Sequence, residues 1–252
     1  MSVRIALVGL VVGTLVGLSG VGAGVLMAPT LIMLGVHPDI AIGTDLAYGA
    51  VTKLVGTARN AAQHLVSRPW AMWLSIGSVP GTALGTEVTR LMAPAAVDHF
   101  LRAALAVVLV VASLAIIAKE ILAARGVIPR AADMAADRPW RISLVGGVVG
   151  FLVGLTSIGS GSLFMLFLLT CSGLTAQAAV ATDIANAAAL SVVGALLHLA
   201  DGTVDLPLAA NLLIGSIPGI LVGGRLAQYV PARPLKLGLA VLILAGGVKL
   251  VA

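Results

Sequence analysis

Two carboxylates stand at matching places in this chain, each directly after a threonine: Asp45 within Gly43-Thr44-Asp45-Leu46-Ala47, and Asp183 within Ala181-Thr182-Asp183-Ile184-Ala185. Ionisable groups in long apolar segments are costly and tend to mark proton, ion or substrate pathways. Asp45 and Asp183 are therefore expected to be ion-coupling groups, for a proton or a cation. The alternative for both threonine-aspartate pairs is helix capping, since each stands near the start of an apolar stretch just after a short turn. Lys53 follows Asp45 by about two helical turns, on broadly the same side of the helix. It reads either as an internal ion-pair partner or as a cation held for substrate. Asn186 lies one turn after Asp183, and His198 could relay protons or hydrogen-bond locally.

A second set of residues offers backbone rather than side chains. Glycines recur in step in Gly17-Leu18-Ser19-Gly20-Val21-Gly22-Ala23-Gly24 and Gly154-Leu155-Thr156-Ser157-Ile158-Gly159-Ser160-Gly161. Such runs break a helix and free amide groups that hydrocarbon cannot satisfy, so these must face protein, water or a ligand. The short helix after each break would point its positive N-terminal end into it, which suits an anion. Close packing of helices through small residues is the competing explanation. The expected substrate contacts are Gly20, Gly22, Gly24, Thr44, Lys53, Ser157, Gly159, Ser160, Gly161, Thr182 and Asn186. Two permanently ionised aspartates would repel an anion, so proton uptake coupled to transport is the arrangement that avoids this.

The elements that must position these groups follow from composition. Hydrophobic residues make up 60% of the 252 and charged residues 10%, and mean hydropathy is +1.12; soluble domains carry about 25% charged residues. Apolar runs long enough to cross a bilayer recur. Residues 101–117 are apolar at nearly every position except Arg102 and Ser113, which excludes the alternating pattern of a barrel and selects helices. The net charge of +5 is assigned to basic loops on one membrane face rather than to nucleic acid. The one cysteine, Cys171, excludes an intrachain disulfide and any thiolate cluster.

The chain divides into two repeats. Thr44 with Thr182, and Gly77 with Gly215, share one offset of 138 residues. The expected organisation is a first membrane repeat over 1–125, a polar, cytoplasmic linker over 126–141, and a second membrane repeat over 142–252. Each repeat is expected to hold a glycine-broken helix or re-entrant hairpin, with a second piece only ~16 Å long at 1.5 Å per residue, and then three transmembrane helices. Each half thus crosses an odd number of times, which makes the repeats inverted. Arg68, Arg225, Arg233 and Lys236 then share the cytoplasmic side with the linker, and both termini lie outside. Trp70, Trp73 and Trp140 near span ends read as interfacial anchors.

Gly35-Val36-His37-Pro38 leading into Ala41-Ile42-Gly43-Thr44, and Ile214-Gly215-Ser216-Ile217-Pro218-Gly219 near Gly223-Gly224, following the glycine-rich break, resemble the sulfite exporter family TauE/SafE over nearly the whole chain. The resemblance implies a multi-pass permease of a bacterial or archaeal cytoplasmic membrane, moving sulfite or another sulfur-containing or organic anion. The family often has Ser or Asn after the threonine, where this chain has Asp45 and Asp183. The expected partners are a small anionic substrate and the lipid bilayer, with a homo-oligomer left open. No cofactor, metal or catalytic residue is expected. The competing functions are a passive anion channel and a membrane-embedded enzyme using the two aspartates.

Overall fold

The computed structural model describes residues 3–19, 24–92, 94–124, 139–226, 229 and 232–249. Gly20, Gly22 and most of the expected linker lie outside the described residues. Among those described, the chain is all helix apart from turns and one isolated bridge between Gly159 and Gly161.

In the first half, α1 (Val3–Ser19) leads to α2 (Gly24–Met33), α3 (Pro38–Ala62), α4 (Arg68–Leu91) and α5 (Pro94–Ala124). The second half runs α6 (Pro139–Thr156), α7 (Leu163–Cys171), α8 (Ala176–Ala200), α9 (Leu206–Leu226) and α10 (Ala232–Lys249). α6 thus begins inside the stretch expected to be linker. The order matches the expected one, a broken pair and then three longer helices, twice over. Helix starts follow local chemistry. Pro38 sits in the first turn of α3 and Pro69 in that of α4, where a missing amide hydrogen costs nothing. Thr175 caps α8 by accepting from the amide of Ala178 at 3.3 Å.

Among the described residues, four segments are long and apolar enough to cross a membrane: His99–Ala118, Pro139–Thr156, Gln177–Ala200 and Leu206–Gly223. α3 and α4 have the length for a crossing but carry several charged residues, among them Asp45, Lys53 and Arg59 in α3 and Glu87 and Arg90 in α4. The outer surface is apolar, with Leu84, Val107, Leu114, Leu144, Leu196, Leu221 and Val241 all exposed, while Thr44, Asp45, Ser78, Asp183 and Asn186 are buried. Apolar residues outside and polar ones inside is the distribution hydrocarbon solvent imposes. This is a multi-pass membrane protein.

The helices pair across the halves, α4 against α6, α1 against α9, and α3 against α8, while α5 packs on α10. Backbones meet where glycines stand. A Cβ on Gly9 would lie 2.6 Å from the Leu212 carbonyl oxygen, and one on Gly146 would lie 2.6 Å from that of Leu74. Gly77, Gly81 and Gly85 abut the backbone of Ser143, Gly147 and Phe151, and their counterparts Gly215, Gly219 and Gly223 abut Ala6, Leu10 and Thr14. Each contact recurs with the halves exchanged, as a pseudo-twofold arrangement requires. Small residues allow this approach because association in lipid depends on close packing rather than on hydrophobic driving force.

Trp70 corrects the expectation of an interfacial anchor. It is 2% exposed and packs edge-to-face on Phe167 with centroids 6.0 Å apart. Trp140 is exposed beside Arg141, whose guanidinium carbon lies 5.4 Å from its ring centroid.

Candidate functional site

The second glycine break is built by three residues with positive φ. α6 ends at Thr156, and the chain then turns through Ser157 at φ 58°, Gly159 at 136° and Gly161 at 86°. Left-handed backbone at a residue other than glycine is uncommon and needs support. Here Ser157 has it, since its amide donates to the Val153 carbonyl at 2.7 Å and its hydroxyl donates to Asp45 Oδ2 at 2.6 Å. The amide of Ile158 donates to Thr156 Oγ1 at 3.2 Å. The first break rejoins described chain at Gly24, where a Cβ would lie 2.5 Å from the Ser157 carbonyl oxygen and 3.2 Å from Asp45 Oδ2. The far edge of one break therefore touches the other.

Asp45 is 3% exposed and sits well inside α3, eight residues from its start. Neither aspartate caps its own helix, because His37 occupies that position for α3 and Thr175 for α8. Two turns further along α3, Lys53 Nζ donates to Ser160 Oγ at 3.1 Å and to Ser191 Oγ at 2.9 Å. Lys53 and Ser191 are the same position in the two repeats. Lys53 therefore meets the residue at its own repeat position where α3 packs against α8. Asp45 and Asp183 both lie near enough to attract the Lys53 charge.

A cavity of about 290 Å³ opens at this point. Lys53, Ser160, Gly161 and Asp183 line its polar side, and Val16, Met165, Val180, Ile184 and Ile220 its apolar side. Helices from both halves contribute. A cation, a hydroxyl and backbone turned through positive φ can receive an oxyanion by charge-assisted hydrogen bonds.

The other expected contacts are placed differently. Thr44 Oγ1 accepts from the Asp205 amide at 3.1 Å, and Thr182 Oγ1 accepts from the Ser67 amide at 3.0 Å. Asp205 and Ser67 immediately precede α9 and α4, so each threonine ties down the helix start of the opposite half. Asn186 is pinned by its carbonyl, which accepts from Ser78 at 2.7 Å and Ser75 at 3.1 Å. His198 is two turns beyond Ser191 on α8 and lines a separate cavity of about 450 Å³ with His37, Asp39, Arg90, Asp201 and Thr203. There its Nδ1 pairs with Thr203 at 2.8 Å, and Arg90 meets Asp201 at 3.3 Å. That cavity is larger, but it sits at the helix ends with charges of both signs. The smaller one joins buried charge to both repeats and is the better candidate site.

Of the expected site residues, Lys53, Ser160, Gly161 and Asp183 line this cavity, Asp45 and Ser157 pair with each other, and Ser191, which holds Lys53, was not among the expected contacts. The available signal was that Lys53 and Ser191 share a repeat position. The apolar wall from Val16, Met165 and Ile220 carries no sequence mark. Among the described residues no three His, Cys, Asp or Glu side chains are grouped to hold a metal.

The profile of the family described as Sulfite exporter TauE/SafE matches residues 5–250. Three relatives from Bacillus subtilis (strain 168) align along nearly their whole length. "Probable membrane transporter protein YjnA" is 42% identical over 255 residues, covering 100% of both chains. "Probable membrane transporter protein YunE" is 28% identical over 90% of this chain and 88% of its own, and "Probable membrane transporter protein YdhB" is 25% identical over 92% and 93%. No solved structure matches the chain.

Proposed function

The chain belongs to the sulfite exporter TauE/SafE family of membrane transporters, and from that premise we propose that it is a secondary transporter for a small anion, sulfite or another sulfur-containing or organic anion, in a bacterial or archaeal cytoplasmic membrane. The observation that carries this reading is Lys53, a half-buried cation between the halves that donates to one serine from the second break and to one from the helix it packs against. Broken helices meeting between two repeats are how many secondary transporters hold a solute while the halves rock around it. In this reading the repeats, residues 1–125 and 142–252, are inverted in the membrane, with the basic linker inside. The anion sits between Lys53, Ser160 and the Gly159–Gly161 turn. Asp183, on the cavity wall, exchanges the coupling proton.

Purified protein in liposomes tests this. Uptake of sulfite, thiosulfate, sulfoacetate, acetate and phosphate is compared with and without a pH gradient, alongside single-channel recording. Saturable flux of at least one anion, accelerated by the gradient and without unitary conductance, is the expected result. Unitary currents would establish a channel instead, and no flux of any anion would overturn the assignment.

A further inference from the structure

We propose that Asp45 and Ser157 supply the protein oxygens of a sodium site that fills together with the anion at Lys53, an inference that rests on the transporter reading above.

Four oxygen atoms from these two residues face one another across the break. Asp45 Oδ2 takes the Ser157 hydroxyl at 2.6 Å. Asp45 Oδ1, on a side chain 3% exposed, has no hydrogen-bond partner among the described residues. The Ser157 carbonyl oxygen and Asp45 Oδ2 both lie against Gly24, at 2.5 and 3.2 Å from where its Cβ would stand. Only glycine leaves that side open. A carboxylate, a hydroxyl and a carbonyl from unwound backbone are hard oxygen donors of the kind that broken-helix transporters present to sodium. No thiolate or imidazole is among them, which disfavours a softer metal.

Charge on the page fits this reading. The C-terminal end of α6, the negative end of its dipole, lies at Ser157 and favours a cation, whereas the N-terminal end of α2 at Gly24 opposes one. The carboxylate settles the sign. Lys53 does not occupy the place, because its ammonium is engaged by Ser160 and Ser191. Its charge is nevertheless near Asp45 and weakens cation binding until an anion neutralises it. Sodium and anion thus favour each other's binding, and by linkage each raises the other's affinity by the same factor.

The test is thermal unfolding of the purified full chain in sodium, potassium or choline chloride at equal ionic strength, with and without sulfite. Sodium alone of the three should raise Tm saturably, and it should tighten the apparent sulfite affinity about fivefold or more. Asp45→Asn and Ser157→Ala should both lose the sodium shift. Ser157→Ala decides the matter should Asp45→Asn fold poorly. Equal Tm in the three salts, or a sodium shift that survives Ser157→Ala, overturns the sodium site and leaves the anion reading standing. A Ser157-dependent sodium shift without any sulfite effect supports the cation site and faults the choice of anion.

Discussion

Replacing Lys53 by methionine separates the charge of the central cavity from its shape. The methionine chain is unbranched and of similar length, so Val16, Ile184 and Met165 keep a neighbour. The fold loses two hydrogen bonds, at 3.1 and 2.9 Å, and at the same time no longer has to hold an ammonium away from water. Those effects oppose each other, and Ser160 and Ser191 can turn their hydroxyls to other acceptors. The change in Tm should be small. An anion seated against the ammonium, by contrast, loses a charge-assisted hydrogen bond worth about 1.5–3 kcal/mol, or roughly 10- to 150-fold in affinity. The assay is the sulfite concentration giving half-maximal thermal stabilisation, paired with liposome flux. A well-folded Lys53→Met protein with an unchanged half-maximal concentration refutes the placement of the anion at Lys53.

Three further outcomes are expected. Asp183→Asn should give a folded, inserted protein whose flux is slow and no longer accelerated by a pH gradient, because an amide does not titrate; wild-type acceleration would remove Asp183 from coupling. Gly81→Ala and its counterpart Gly219→Ala should each destabilise by about 1–3 kcal/mol, read as loss of Tm, since both press a methyl group into a facing helix backbone; an effect in one alone would contradict the exchange symmetry of the packing. Thr44→Val and Thr182→Val should each cost about 1–3 kcal/mol by leaving the Asp205 or Ser67 amide without its acceptor. Both should leave the half-maximal sulfite concentration unchanged, and a large shift in it would return these threonines to the substrate site.

Much of the architecture was legible in the sequence because hydrocarbon admits so few solutions. Sixty per cent apolar residues require helices, and the glycines of 157–161 announce the turn between α6 and α7. The TauE/SafE resemblance was readable in the same sequence. Which buried polar group meets which was not readable. Thr44, Thr182 and Asn186 look like site residues by type, yet their oxygens are used to fasten helices of the opposite half, a role set by partners more than 100 positions away. His198 looks like part of the aspartate set, but helix α8 carries it two turns past Ser191 into another cavity. Trp70 has the local context of an interfacial anchor, and only packing against Phe167 makes it core. The meeting of Lys53 with Ser191, and of Asp45 with Ser157, depends on where α3 crosses α8 and where the breaks touch. Helix periodicity fixes the direction of a side chain around its own axis, whereas the crossing point is set by glycine contacts distributed over both halves, and that is information no single segment contains.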